Sequence, residues 1–230
     1  MRTKRLPPHT QGHSNSNVIL YFCHIVNSFT ISIYKKLAHE IGSDYTLFWV
    51  FQEDNTYRET TLLLEKEINV FSFRLSDLNS LGYKQIQDLY GNDHYMYCFF
   101  FRKNPQFKFY WIIEYDVLYS GNWENLFGYF KNDDADFISS HIERRNINNE
   151  EWCWWNSMHS NSMHPIHTNT QIKSFNPICR LSNSAMFFLD RLLTNKENYG
   201  FCEVFIATAM HWRQLKIEDF GGIGEFVTTV

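Results

Sequence analysis

FYWIIEYDV, residues 109–117, is five large apolar residues followed by two acids that flank a tyrosine. The apolar part mixes aromatic and β-branched residues with no polar alternation, which predicts a strand buried on both faces. Strands of that kind occur in parallel sheets covered by helices on either side. Working outward, Val18 to Val26 (VILYFCHIV) and Tyr45 to Gln52 (YTLFWVFQ) carry the same signature, and Ile68 to Phe73 reads as a shorter third strand. Asn27-Ser28 can cap a helix from about Phe29 to Ile41, stopped by Gly42. A short helix is expected after Ser76. Strands alternating with helices at this spacing predict an α/β domain with a mostly parallel sheet flanked by helices. His94 to Arg102 has the Tyr and Phe content of a strand. A parallel order nevertheless needs a crossover helix before residue 109, so the segment is read as a helix.

Downstream, Ser120-Gly121 precedes a helix starting at Asn122, in which Trp123, Leu126, Phe127 and Phe130 follow i, i+3, i+4, i+7 spacing. Asp136 to His141 reads as a short strand. Residues 142–176 break every period; they hold WCWW at 152–155 and the histidines 159, 164 and 167, and are read as one long irregular segment. Such segments in compact domains are often binding loops. Helices are expected at Ser182 to Thr194 and Phe201 to Gln214, then a strand at Lys216 to Phe220.

Composition sets the class of protein. With 230 residues, 44% hydrophobic and 18% aromatic, residues 17–230 can bury one sizeable core, after a disordered lead-in over residues 1–16. A net charge of −4 argues against electrostatic nucleic-acid binding, which needs a concentrated basic surface. No run approaches the roughly 18 apolar residues of a membrane span. Met1 to Asn15 carries Arg2, Lys4 and Arg5 without the apolar stretch of a signal peptide. The five cysteines are scattered without a C-x-x-C, as reduced core thiols would be. A cytoplasmic location is therefore expected. The sequence has no GxGxxG, P-loop or GxSxG motif, which counts against dinucleotide oxidoreductases, P-loop kinases and α/β-hydrolases.

Glu114 and Asp116 lie two positions apart at the carboxyl end of the buried strand, so alternation puts both on one face and Tyr115 on the other. Open α/β sheets bind ligands at that edge. Converging carboxylates repel unless a cation, a proton or a basic partner offsets them. A hard divalent ion such as Mg2+ or Mn2+ would do so and leave positions for phosphate oxygens. Alternatively, Glu114 caps a neighbouring loop and Asp116 solvates the strand end. Spacing alone leaves both open.

Tyr110 to Val117, with Ser120-Gly121-Asn122-Trp123, resembles the nucleotide-sugar-dependent glycosyltransferases of the GT-A fold. It is most similar to a microbial group whose aromatic strand ends in Glu-x-Asp before a Gly-x-Trp-type turn. The resemblance implies a Rossmann-like, GT-A-like single domain. It also implies that the acid triplet holds Mn2+ or Mg2+ against the diphosphate of a nucleotide-sugar donor. Glu replaces the commoner first Asp, and its longer side chain can reach the ribose or a water instead, which makes Asp116 the better metal ligand. Glu114, Asp116 and Arg180 (in Arg180-Leu181-Ser182, similar to a family Arg-x-Ser element) are the donor-binding candidates. The family often has a late acid facing the acceptor. Here that is Glu203, as base for a glycan or other hydroxyl acceptor if configuration inverts, a need that a retaining reaction removes; a Glu in the first turn of a helix also simply complements its dipole.

Trp123, Trp152, Trp154 and Trp155 are candidate acceptor platforms, since apolar sugar faces pack on aromatic rings; pinning the loop to the core explains them as well. The donor's base and ribose are expected near Cys23 to Asn27 and Gln52 to Asp54. The three loop histidines lack supporting ligands and are read as solvated, and His211 as a core or surface residue rather than an extra metal ligand. Arg102-Lys103 and Arg144-Arg145 could offset phosphate but read as solvated pairs. Two rivals share the same residues. One is a metal-dependent phosphoryl-transfer or hydrolytic enzyme, which would need further carboxylates beside Glu114 and Asp116. The other is a non-catalytic relative that binds glycan or protein.

Overall fold

A computed structural model describes residues 17–55, 68–221 and 223–227, so the expected lead-in lies outside the described residues. Strand β1 (Asn17–Phe22) is followed by helix α1 (Ser28–Glu40), strand β2 (Tyr45–Gln52), strand β3 (Val70–Phe73) and a short helix α2 (Leu75–Asn79). Helix α3 (Asp93–Lys103) precedes β4 (Phe109–Glu114), and α4 (Trp123–Tyr129) precedes β5 (Phe137–Arg144). Then come β6 (Ile172–Ser182), α5 (Asn183–Thr194), α6 (Cys202–Trp212) and β7 (Ile217–Asp219).

The described residues form one seven-stranded sheet in the order β3-β2-β1-β4-β6-β5-β7. β1 pairs in parallel with β2 and β4, β2 with β3, and β5 with β7. Only β6 runs against its neighbours, antiparallel to β4 and β5. The expected GT-A-like, mostly parallel sheet flanked by helices is the architecture observed. Its strand order reverses between β1 and β4, the kind of point at which open α/β sheets hold ligands.

The continuous apolar strands follow from cover on both faces. Val18, Leu20, Tyr110 and Ile112 join the core beneath α3, α5 and α6. The alternate residues Ile19, Tyr21, Trp111 and Ile113 join the second core beneath α1 and α4. Helix α1 starts with a reciprocal cap: Thr30 N–H donates to Asn27 Oδ1 at 2.9 Å, and Asn27 N–H donates to Thr30 Oγ1 at 3.1 Å. The aromatic segment after residue 93 is a helix, as the crossover requirement predicted. Tyr95, Tyr97, Phe100 and Phe101 are all buried on it, which explains its strand-like composition.

The irregular segment expected over 142–176 is shorter than that. β5 continues to Arg144, and Ile172 opens an eleven-residue strand that carries no strand signature in the sequence. Pro177 masks it, because proline donates nothing to a ladder and is confined to edges and bulges. In β6 it sits in a bulge: Ser140 pairs with Phe175 but Ile138 with Arg180, and pairing with β4 begins at Ile178. Ser139 Oγ donates to Phe175 O or to Asn176 Oδ1, each at 2.8 Å, and so closes the bulge from β5.

Candidate functional site

At the carboxyl ends of β1 and β4 lies a cleft of about 540 Å3. Its walls include Glu114 and Asp116 from the end of β4, Asp93 from the first turn of α3 and Glu203 from the first turn of α6. His24 and Gln52 come from the ends of β1 and β2, and Asn176 from the β6 bulge. The structure thus brings together the three acids singled out in the sequence, Glu114, Asp116 and Glu203, and adds Asp93. Tyr115 also faces the cleft, contrary to strict alternation, because the strand ends at Glu114 and the next residues form a turn. Its ring meets His24 edge-on at 4.9 Å.

The α6 wall is held by several local contacts. Cys202 N–H donates to Gly91 O at 2.8 Å, and Ser174 Oγ donates to Glu203 O at 3.1 Å. Gly91 has φ +70, and a Cβ there would lie 2.3 Å from the Phe201 ring, so glycine lets this ring close against the loop. Trp154 stacks on Phe201 at 4.0 Å with an interplanar angle of 2°, and Tyr90 meets both rings edge-on.

The remaining candidates do not reach this cleft. Arg180 is buried at 1% exposure, and its guanidinium binds Asp133 and the carbonyls of Phe130 and Ala135. Trp123 is buried in the core on the α1 side, stacked with Phe127. Trp155 is buried, with its Nε1–H on Asn149 O at 2.7 Å, so it pins the loop. Trp154 braces the wall behind Phe201. His211 lies beside Arg144, which pairs with Glu225; His164 stacks on Trp212 and His159 on Tyr199. Arg102 pairs with Asp190.

Charge is concentrated in the cleft. Its described lining holds Asp93, Glu114, Asp116 and Glu203 and no Lys or Arg. Burial, then the charges of Asp93, Asp116 and Glu203, pushes the Glu114 carboxyl up to about 7. Burial and Asp93 push Glu203 up to about 7, against the pull of Lys173. Asp93 rises to about 6 through burial, opposed by the Cys202 thiol that donates to it. These carboxyls hold protons more tightly folded than unfolded. They favour the fold below about pH 4.5, and that contribution is lost as pH rises through about 7. Glu114→Gln is therefore expected to stabilise the ligand-free protein by about 2–3 kcal/mol at pH 8. The gain should disappear at pH 4.5, as urea unfolding at the two pH values would show.

Glu114 and Asp116 offer carboxylate oxygens of the kind hard divalent cations take, and a proton held by Glu114 offsets part of their repulsion as well. Among the described residues no three His, Cys, Asp or Glu side chains group as an ion-binding set. A cation here would complete its shell with water or ligand oxygens, as Mg2+ commonly does.

No family model and no curated protein sequence matches the chain. Among solved structures, the 4-diphosphocytidyl-2C-methyl-D-erythritol synthase of Anaerococcus prevotii DSM 20548 is similar, with a TM-score of 0.50 over 88% of this chain and 85% of that one. Sequence identity is 5%, so the likeness concerns the fold alone. No described helix is long and apolar enough to cross a membrane.

Sequence reasoning missed Asp93, whose position before an aromatic helix reads only as a favourable dipole contact. It also missed Asn176, hidden with its strand by Pro177. Of the three loop tryptophans weighed as acceptor platforms, Trp152 rather than Trp154 or Trp155 lines a second, smaller cavity beside Glu203.

Proposed function

We propose that this chain is a metal-dependent glycosyltransferase that moves a sugar from a nucleotide-sugar donor to an acceptor hydroxyl. The observation that carries it is the division of acids across one cleft at the strand-order reversal. Glu114 and Asp116 stand on the β4 side, and Glu203 faces the same space from α6. Asp116, with Glu114, would hold Mn2+ or Mg2+, which supplies Lewis-acid neutralisation of the charge that develops on the departing diphosphate. His24 and Gln52 lie where the nucleoside is expected, at the ends of β1 and β2. A fold neighbour named for a diphosphocytidyl compound is compatible with a nucleotide diphosphate at this edge of the sheet.

Glu203 supplies the base. As the bond from the anomeric carbon to the diphosphate oxygen breaks, its electron pair leaves with the diphosphate. The acceptor oxygen bonds to the anomeric carbon, and its proton passes to the Glu203 carboxylate. A carboxyl raised to about 7 is well matched to that transfer near neutral pH. Asp93 and Glu203 are also the further carboxylates a two-metal phosphoryl-transfer site would require. Phosphoryl transfer at these four acids is therefore the rival reading.

The test is a thermal-shift screen of UDP-, GDP- and CMP-sugars with and without Mn2+. A ligand at 100 times its Kd stabilises by about 2.7 kcal/mol. At least one donor is expected to give a Mn2+-dependent shift that Asp116→Ala removes. Silence from every nucleotide sugar in both conditions would overturn the proposal. Glycan binding without any metal effect would favour a non-catalytic relative.

A further inference from the structure

We propose that the cavity formed by His141, Trp152, Lys173, Ser174, Phe175 and Glu203 binds a neutral sugar ring, the terminal residue of a glycan acceptor. Its role as an acceptor site rests on the glycosyl-transfer reading above; the binding itself does not.

Position is the first argument. Glu203 and Phe175 line both this cavity, of about 280 Å3, and the acidic cleft. A hydroxyl seated here would lie beside Glu203, which also borders the acidic cleft. Buried Ser174 fixes that carboxylate's helix by donating to Glu203 O. The volume falls just below the usual range of ligand sites, roughly 300–1,000 Å3, and suits one ring rather than a chain of them.

Surface chemistry is the second. Phe175 is 51% exposed on a strand of the central sheet, and Trp152 is partly buried with its ring edge-on to Trp155 at 4.9 Å. Exposed aromatic faces beside polar groups suit a ring with one apolar face and hydroxyls around its rim. His141 adopts φ 52, a left-handed conformation uncommon outside glycine, and its ring meets Phe175 edge-on at 5.9 Å. Backbone held there is a feature of ligand clamps as well as turns.

Charge decides the class of sugar. Lys173 Nζ sits 3.1 Å from Glu143, within electrostatic reach of Glu203 and 5.8 Å from the Trp152 ring. Glu143 already pairs with that charge, so the cavity offers no surplus positive charge to a phosphate or carboxylate. What remains is an ammonium that donates and a carboxylate that accepts, the partners a neutral polyol needs.

The experiment uses the full chain without donor or metal. Saturation-transfer NMR is run with methyl glycosides of glucose, galactose, mannose and N-acetylglucosamine, and with glucuronate and glucose 1-phosphate as anionic counterparts. At least one neutral glycoside is expected to bind and to outcompete its anionic counterparts. Phe175→Ser and Trp152→Leu are expected to weaken it at least tenfold. Circular dichroism shows whether each variant is folded, and the half-exposed Phe175 provides the variant least able to disturb the core. Absence of neutral-glycoside binding, preference for the anionic sugars, or binding indifferent to Phe175→Ser in folded protein would overturn the proposal. Glycoside binding that depends on both aromatics, in a protein that no nucleotide sugar stabilises, would uphold the sugar site and remove the transferase reading instead.

Discussion

Arg180→Ala is expected to lower the unfolding free energy by about 3–5 kcal/mol, the usual cost of removing one partner of a buried ion pair. The guanidinium donates to Phe130 O at 2.9 Å, Ala135 O at 2.9 Å and Asp133 Oδ1 at 2.7 Å, and it lies 4.0 Å from the centre of the Phe109 ring. Alanine leaves three carbonyls (Phe130, Asp133 and Ala135) and a carboxylate of the α4–β5 connection without this donor, and opens a void against Phe109. In a domain of this size the melting temperature should fall roughly 2–4 °C for each kcal/mol. Denaturant unfolding should show a lower midpoint at an unchanged slope. Arg180→Lys restores little, because a compact ammonium does not span the fork of acceptors. Nucleotide-sugar affinity of the folded variant should match the parent. A weakened donor at unchanged stability would return Arg180 to the donor-binding role that the family resemblance implies.

Glu203→Gln is expected to lower kcat by about 100- to 10,000-fold while the nucleotide-sugar thermal shift persists. The amide keeps the size of the side chain and its place in the α6 first turn but accepts no proton. Loss of kcat without loss of donor stabilisation separates the base from the metal pair, for which Asp116→Ala removes the shift itself. In the parent, Glu203 must be ionised to act. Its carboxyl lies near 7, so kcat/KM should rise with pH through neutrality and level off above it. Burial is the larger cause of that position and Asp93 the next. Asp93→Asn should therefore move the rising limb to lower pH, measured at fixed Mn2+ because a bound cation also draws the limb downward. A limb that stays in place would deny Asp93 this influence.

What could be read from the sequence follows burial. β1, β2 and β4 announce themselves because a strand covered on both faces must be apolar throughout, and the acids that end β4 stand out against that run. α3 is legible only through topology, since its Tyr and Phe content says strand while the parallel order demands a crossover. β6 is not legible at all, because Asn176-Pro177 belongs to a bulge that no local preference predicts. The tryptophans show the same limit. Trp123 sits on the i, i+3, i+4, i+7 stripe of α4 and is core for that reason. Among Trp152, Trp154 and Trp155, only tertiary packing decides which indole fronts a cavity.

The direction of β6 has one more consequence. Because it runs against β4 and pairs with it only from Ile178 onward, residues 172–177 continue past the end of β4 beside β5 alone. The acidic β4 edge is thus built into the full sheet, whereas Lys173, Ser174 and Phe175 ride on a two-stranded arm. Substitutions, insertions or a shifted bulge in that arm can remodel one substrate's berth without disturbing the strands that position Glu114 and Asp116. On the proposed reading the metal pair and the acceptor's berth sit on separable strands, and with Ser174 kept to hold Glu203 the arm is the place to graft a new preference.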